Sequence, residues 1–425
     1  MISTLRSWRS MQHVYGSTTR SPGFLDRWLA ARVQRGIEPA AVRLELWDQS
    51  SPYAAAARPI GDLIVHDRRA LLGLAVNPEL YLGEAYVKGR LDIRGGLEPV
   101  VEALTRNCEP GHSWKDHVRA ALAVPITPGS ARRNVHYHYD LGNDFYQQWL
   151  DSELVYTCAY FAEPGMSLEE AQRAKLDLVC RKLRLQQGDT VIEAGCGWGA
   201  LALHMAGHYG ARVKAFNVSR EQLAYARDRA RREGLADRVE FIDDDYRNVR
   251  GAFDAFVSVG MLEHVGLRQF RTLADVVRRT VRRSGGRGLL HFIGRDAPRP
   301  LNAWIRRRIF PGAYPPTLAE VATEVLTPAG MSIVDVENLR LHYAQTLAHW
   351  RRRITASAHQ VRAQYGDEFE RAWQLYLAGS RAAFATGWMQ LFQVVFTPFE
   401  TAPPYWSRSE LYEGRKKSTC TAATR

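Results

Sequence analysis

The residues best placed to do chemistry gather first around a run of glycines, Thr190-Val-Ile-Glu-Ala-Gly195-Cys-Gly197-Trp-Gly199. An apolar strand that runs into glycines can turn tightly and expose main chain to a ligand. Three glycines at alternate positions exceed what an ordinary strand–turn–helix connection requires. The spacing also departs from the G-x-G-x-x-G of dinucleotide sites, and an acid, Glu193, lies two residues before the first glycine. Other reactive groups are scattered: Cys158, Glu263 beside His264, His291 in Leu289-Leu-His-Phe-Ile293, and Tyr343. Taken singly, each has a plain structural explanation. A free cysteine is often a small buried hydrophobe, a histidine on an apolar strand is usually a satisfied core group, an acid favours a helix start, and a tyrosine can cover a core edge.

The elements that would position these groups follow from periodicity. Short apolar runs at Thr190–Ala194, Val213–Phe216, Val239–Ile242, Ala255–Val259 and Gly288–Ile293 alternate with amphipathic stretches at 200–209 and 219–233. Ser219 opens the second of these, with Gln222 at capping-box spacing. A helical run covers Ser167–Leu185. This alternation predicts an α/β domain with a mostly parallel sheet covered on both faces. Before it, an amphipathic stretch near Leu25–Val33, a strand near Val42–Trp47 and mixed pieces from Ile60 to Leu104 suffice for a smaller α+β domain. Pro, Gly and Ser mark a connector after it. The expected boundaries are 1–120 for the first domain, 121–133 for a linker, 134–403 for the larger domain and 404–425 for a frayed tail.

Composition bounds the alternatives. The 425 residues are 46% hydrophobic and 24% charged, ordinary for a packed protein and unlike a disordered or fibrous chain. The 57 Lys+Arg against 45 Asp+Glu give +12, which favours a polyanion, nucleic acid or acidic membrane. Five cysteines (108, 158, 180, 196, 420) match neither a metal spacing nor a disulfide framework, so a reducing compartment is expected. The first residues lack the apolar stretch of a secretory signal, and no run reaches the roughly 20 apolar residues of a membrane span.

The glycine turn resembles the first motif of class I S-adenosylmethionine-dependent methyltransferases, whose ligand carries an ammonium group and no pyrophosphate. That likeness implies a Rossmann-like domain with a seven-stranded sheet. It assigns Glu193, Gly195 and Gly197 to the methionine end of the cofactor. Such enzymes usually place a second acid after the next strand to take the ribose hydroxyls. Here Asn217, Val218 and Gln222 stand there instead, which demands a narrower match. Asp245 and Tyr246, after the third strand, would face the adenine.

In order and spacing, several segments together resemble the cyclopropane-fatty-acyl-phospholipid synthase family. They are Tyr137-His-Tyr-Asp-Leu-Gly-Asn-Asp-Phe-Tyr146, Tyr156-Thr-Cys-Ala-Tyr-Phe161, the glycine turn, Ser258-Val-Gly-Met-Leu-Glu-His-Val-Gly266, Leu289–Ile293, Leu341-His-Tyr343 and Trp388–Phe396. The likeness is strong over 134–396 and weaker over 60–105. It implies transfer of a methylene group from S-adenosyl-L-methionine to the cis double bond of an unsaturated phospholipid acyl chain. In that family a bound bicarbonate removes the final proton. Carried onto this chain, its holders are Cys158, Glu263, His291, the backbone of Ile293, and Tyr343. Tyr156 and Thr157 join the cofactor set, and Tyr156, Tyr160 and Phe161 offer π faces to a carbocation. The neighbouring outcome is a lipid C-methyltransferase giving methyl- or methylene-branched chains.

The resemblance turns the charge toward anionic membranes, with peripheral association at the cytoplasmic face and a homodimer as an allowed state. Ten arginines fall between Arg278 and Arg308 against one acid, Asp296. The Arg306–Arg308 triplet has apolar flanks that could rest on lipid, and Arg351–Arg353 form a second triplet. Nucleic acid is disfavoured, because the stretch after the fourth strand, Val259-Gly-Met-Leu-Glu-His264, carries neither an Asn/Asp-Pro-Pro-aromatic motif nor a Pro-Cys nucleophile.

Overall fold

The computed structural model describes residues 21–53, 58–108 and 141–412. The expected linker, residues 137–140 of the aromatic motif and Cys420 lie outside them. A small sheet comes first, with strands β1 (Val42–Glu45), β2 (Gly61–Val65) and β3 (Leu91–Arg94) in the order β1-β2-β3. The first pair is parallel and the second antiparallel. Helices Phe24–Ile37, Arg68–Val76 and Leu97–Arg106 pack on it around Ala30, Leu44, Leu63, Leu71 and Val100.

The larger unit contains β4 (Thr190–Ala194), β5 (Arg212–Asn217), β6 (Val239–Asp243), β7 (Ala255–Val259), β8 (Arg287–Gly294), β9 (Met331–Asn338) and β10 (Gln390–Pro398). Their order in the sheet is β6-β5-β4-β7-β8-β10-β9, with β10 alone running against its neighbours. Successive residues of these strands point to opposite faces, and both sets are apolar. Val191, Val257 and Leu289 enter one core while Ile192, Phe256 and Leu290 enter the other. That is why the strands read as continuous hydrophobic runs, as a sheet covered on both sides requires. A third, aromatic cluster lies beyond the strand ends and unites Tyr146, Trp149, Tyr156, Trp198, Tyr343, Trp350, Trp373 and Tyr376.

Three expectations need correction. Ser219 caps the helix Arg220–Arg232, but the Gln222 side chain accepts from Asn217 Nδ2 at 2.8 Å and does not complete a capping box. The chain after residue 403 is packed as far as Tyr412: Leu411 is buried and Arg408 pairs with Asp335 at 2.5 Å. Much of the arginine-rich segment is engaged within the molecule, while Arg306 and Arg307 stay exposed. Arg279 donates to the Val249 carbonyl, Arg282 pairs with Asp254, Arg287 with Asp189, and buried Arg295 donates to the Pro300 carbonyl. Arg308 holds Glu84 of the small unit through two bonds of 2.5 and 2.6 Å, while Trp304 and Ile309 are buried, so the apolar flanks face inward. Arg351 pairs with Glu98 and Arg353 with Glu169. No helix among the described residues is long and apolar enough to cross a membrane.

Candidate active site

A cleft opens at the carboxyl ends of β4, β5 and β7, where strand order reverses and doubly wound sheets bind ligands. All ten residues assigned to the cofactor line it: Tyr156, Thr157, Glu193, Gly195, Gly197, Asn217, Val218, Gln222, Asp245 and Tyr246. The glycines are there for distinct reasons. Gly195 turns at φ +84°, and Gly199 turns at φ +86° with no room for a Cβ, which would meet Phe241 at 2.7 Å and Ala226 at 2.9 Å. The helix beginning at Ala200 can therefore lie close to the sheet.

Glu193 is buried on β4, and burial pushes its carboxyl up to about 8 although the nearby Lys175 ammonium pulls it down. Its Oε2 is buried and finds no hydrogen-bond partner among the described residues. A carboxyl in that state lacks a donor, and a ligand ammonium would supply one. Asn217 is occupied by its own chain. It donates to the Gly197 carbonyl at 3.1 Å and to Gln222 Oε1 at 2.8 Å, while its oxygen accepts from the Val218 N–H at 2.8 Å. It thus ties the glycine turn to the end of β5. Both Asp245 oxygens accept from the Arg247 guanidinium at 2.7 Å. The Tyr246 hydroxyl is buried in the cleft wall without a hydrogen-bond partner among the described residues.

The second group, Cys158, Glu263, His291, Ile293 and Tyr343, does not line this cleft but meets beside it. A chain of bonds links four of them, and the His291 carbonyl accepts the N–H of Gly260, which lines the cleft, at 2.8 Å. Glu263 Oε1 accepts the Ile293 N–H at 2.5 Å, and Ile293 lies opposite Leu391 in the β8–β10 pair. The Leu391 carbonyl takes the Leu339 N–H at 2.8 Å, and the Leu339 carbonyl in turn accepts from the Tyr343 N–H at 3.1 Å and the Cys158 thiol at 3.9 Å. The Ile293 N–H is committed to Glu263, so its observed part is to hold that carboxyl. Burial keeps Cys158 a neutral thiol and pushes Glu263 up to about 7. Burial, with the Lys175 and Lys182 charges, drives His291 well below its ordinary range, so its ring is neutral. Glu263 Oε2 and His291 Nε2 are both buried without a partner among the described residues. Two of the three expected π faces are taken: Tyr160 stacks on His342 and Phe161 on His349. The Tyr156 hydroxyl bonds that of Tyr376 at 2.8 Å.

Two participants escaped sequence reasoning. Lys175, on the helix Leu168–Lys182, is fully buried, and its ammonium donates to Thr157 Oγ1 at 3.0 Å. It lies in electrostatic reach of Glu193, Cys158 and His291, and burial lowers it to about 8. Its only signal was a lysine on an apolar helix stripe. Asn143 escaped notice within the aromatic motif, and it accepts from the Trp198 indole at 2.7 Å, buttressing the glycine turn.

Fold and cleft together define a class I S-adenosylmethionine-dependent methyltransferase. The model of the mycolic acid cyclopropane synthetase family matches residues 127–394, and this chain belongs to that family. A second model, of a domain of unknown function, matches 33–112. The chain is 36% identical over 395 residues to a "Probable fatty acid methyltransferase" of Pseudomonas putida, covering 87% of this chain and 96% of that one. It is 36% identical over 327 residues to the cyclopropane-fatty-acyl-phospholipid synthase of Escherichia coli K12, covering 75% and 83%. Among solved structures, mycolic acid cyclopropane synthase CmaA1 complexed with SAH and CTAB is 28% identical, with a TM-score of 0.58, covering 62% of this chain and 97% of that one.

Proposed function

We propose that this enzyme transfers a methylene group from S-adenosylmethionine to the cis double bond of an unsaturated phospholipid acyl chain, closing a cyclopropane ring. The observation that carries this reading is the two partnerless buried atoms, Glu263 Oε2 and His291 Nε2, on segments whose neighbours Met261, His264 and Gly260 line the cofactor cleft and whose Ile293 packs on the aromatic cluster. An alkene offers no proton for an enzymic base to remove before it attacks. A site for this reaction needs a positioned methyl donor, a dry surround, and a place for one proton at the end.

The residues divide the work accordingly. Glu193 and the turn at Gly195 and Gly197 hold the methionine end of the cofactor, and Asn217, Val218 and Gln222 stand at its ribose. Asp245 and Tyr246 face its adenine, while Tyr156 and Thr157 close the side toward the substrate. The aromatic cluster around Tyr156, Trp350 and Tyr376 excludes water and turns π density toward a developing cation. The donors and acceptors of the second group fit a small protonated oxyanion. Bicarbonate, when bound, supplies the base that takes the last proton. Cys158, Glu263, His291 and Tyr343 would hold it, with the Ile293 N–H fixing Glu263 in place and Glu263 near neutrality so that two full negative charges do not meet.

In the same reading, residues 134–403 form the catalytic domain and residues 1–120 an accessory domain that helps recruit lipid. Support for contact with a membrane moves from the arginine triplets to the small unit, where Phe24, Leu25, Trp28 and Val76 are exposed beside Arg32 and Arg35. The proposal includes action on anionic bilayers from the cytoplasmic side and allows a dimer. The second reading, a lipid C-methyltransferase with a branched product, is favoured by the name of the Pseudomonas putida relative. The test is incubation with methyl-labelled cofactor and vesicles of unsaturated or fully saturated phospholipid. Label is expected in the unsaturated lipid alone, and no label in either lipid overturns the proposal.

A further inference from the structure

Glu337, Gln393 and His291 stand opposite one another on adjacent strands β9, β10 and β8, forming one polar row across these three strands. Lys182, at the end of the helix Leu168–Lys182, lies over the row. Its buried ammonium donates to Glu337 Oε2 and, at 2.7 Å, to Gln393 Oε1. The other end of the Gln393 amide lies 3.1 Å from His291 Nδ1. Lys182, Gln393 and His291 are each at most 2% exposed, so no water competes for these bonds.

The charge of Lys182 decides which way the amide points. An ammonium can only donate, so the atom of Gln393 facing it must be the oxygen. The carboxamide NH2 then faces His291, and an NH2 can only donate. His291 Nδ1 must therefore accept with its lone pair, and the ring proton must sit on Nε2. That Nε2 is the buried atom without a partner.

We infer that the Glu337–Lys182–Gln393 row is a positioning device that locks neutral His291 as its Nε2–H tautomer and aims that N–H, as a donor, into the site beside Glu263. This rests on the reaction proposed above and refines it. A proton could be added to His291 only at Nδ1, against the Gln393 NH2, so His291 cannot serve as the general base. It can only donate to whatever takes the proton, and an oxyanion acceptor suits that geometry. Lys182, Gln393 and Glu337 act through His291 and touch no reacting atom.

The experiment reads the tautomer directly. In protein labelled with 15N-histidine, the His291 ring signals, assigned by their loss in His291→Gln, are expected to show a protonated Nε2 and an unprotonated Nδ1. A protonated Nδ1 in the wild-type protein overturns the inference, and this reading needs no variant of the row to fold. Gln393→Glu puts an acceptor opposite Nδ1, so the proton is expected to move to Nδ1. Turnover on unsaturated phospholipid vesicles with saturating added bicarbonate should then fall about 100-fold, the usual worth of one preorganised donor. Affinity for S-adenosylhomocysteine should stay within about twofold, because the row lies outside the cofactor cleft. An unchanged tautomer in Gln393→Glu also overturns the relay. A switched tautomer with undiminished turnover confirms the relay and removes His291 from the reaction, which contradicts the proposed function instead.

Discussion

Glu263 gives one carboxyl oxygen to the Ile293 N–H at 2.5 Å and keeps the other buried without a partner. The bond fixes the carboxyl at the end of β8, and the idle oxygen makes it available to a ligand. Burial raises the group from an ordinary 4.5 to about 7. Between those values the folded protein binds more protons than the unfolded chain, so its stability falls as pH rises through that window. Glu263→Gln can still accept from Ile293 and lacks this slope. The variant should be more stable than the parent at pH 8 by on the order of 1–3 kcal/mol and show little gain at pH 5, as read by denaturant unfolding. Turnover should fall by about 100-fold or more.

Glu193 should matter to the cofactor. Its carboxyl is strained by burial until an ammonium reaches it, so Glu193→Gln is expected to weaken S-adenosylmethionine about 10- to 100-fold in calorimetric titration. S-adenosylhomocysteine carries the same ammonium and should weaken in parallel. An unchanged affinity would move the methionine end of the ligand elsewhere.

Gly199 tests the packing behind the turn. A methyl there meets Phe241 and Ala226 below 3.0 Å at a φ that side chains rarely adopt. Gly199→Ala should cost about 2–4 kcal/mol and lower the melting temperature by several degrees. Gly234→Ala, at φ +67° with nothing near its Cβ, should cost about 1 kcal/mol, and the difference between the two isolates the clash.

The fold and most of the cleft were legible in local pattern, because alternating glycines and doubly apolar strands leave a mark within a few residues. The helix Ala200–Tyr209 and the strand Ala255–Val259 have the bounds their periodicity predicts. What stayed hidden depends on distant partners. Nothing local tells that Arg308 meets Glu84, that Lys182 meets Gln393, or that Trp304 fills the space left by Gly83. A charge run reads alike whether solvent or a carboxylate answers it. Much of the arginine segment expected to face lipid is engaged within the molecule for that reason.

The Arg308–Glu84 pair therefore has a different prediction. It is bidentate and partly buried where the small unit meets the large one, so a double-mutant cycle with Arg308→Met and Glu84→Gln should give a coupling of about 1–2 kcal/mol. Arg306 and Arg307 are exposed, and replacing both with Gln should leave stability within about 0.5 kcal/mol. Loss of vesicle binding in that second variant alone would return the membrane contact to this segment.

The most direct measurement is the structure of the acyl product formed from vesicles carrying one cis double bond per chain. Mass analysis before and after ozonolysis separates the outcomes. The account predicts a chain that gains one CH2 and no longer cleaves with ozone, as a ring requires. A chain that gains CH2 but still cleaves, or that gains CH4 after reduction, would contradict ring closure and make this enzyme a branching methyltransferase.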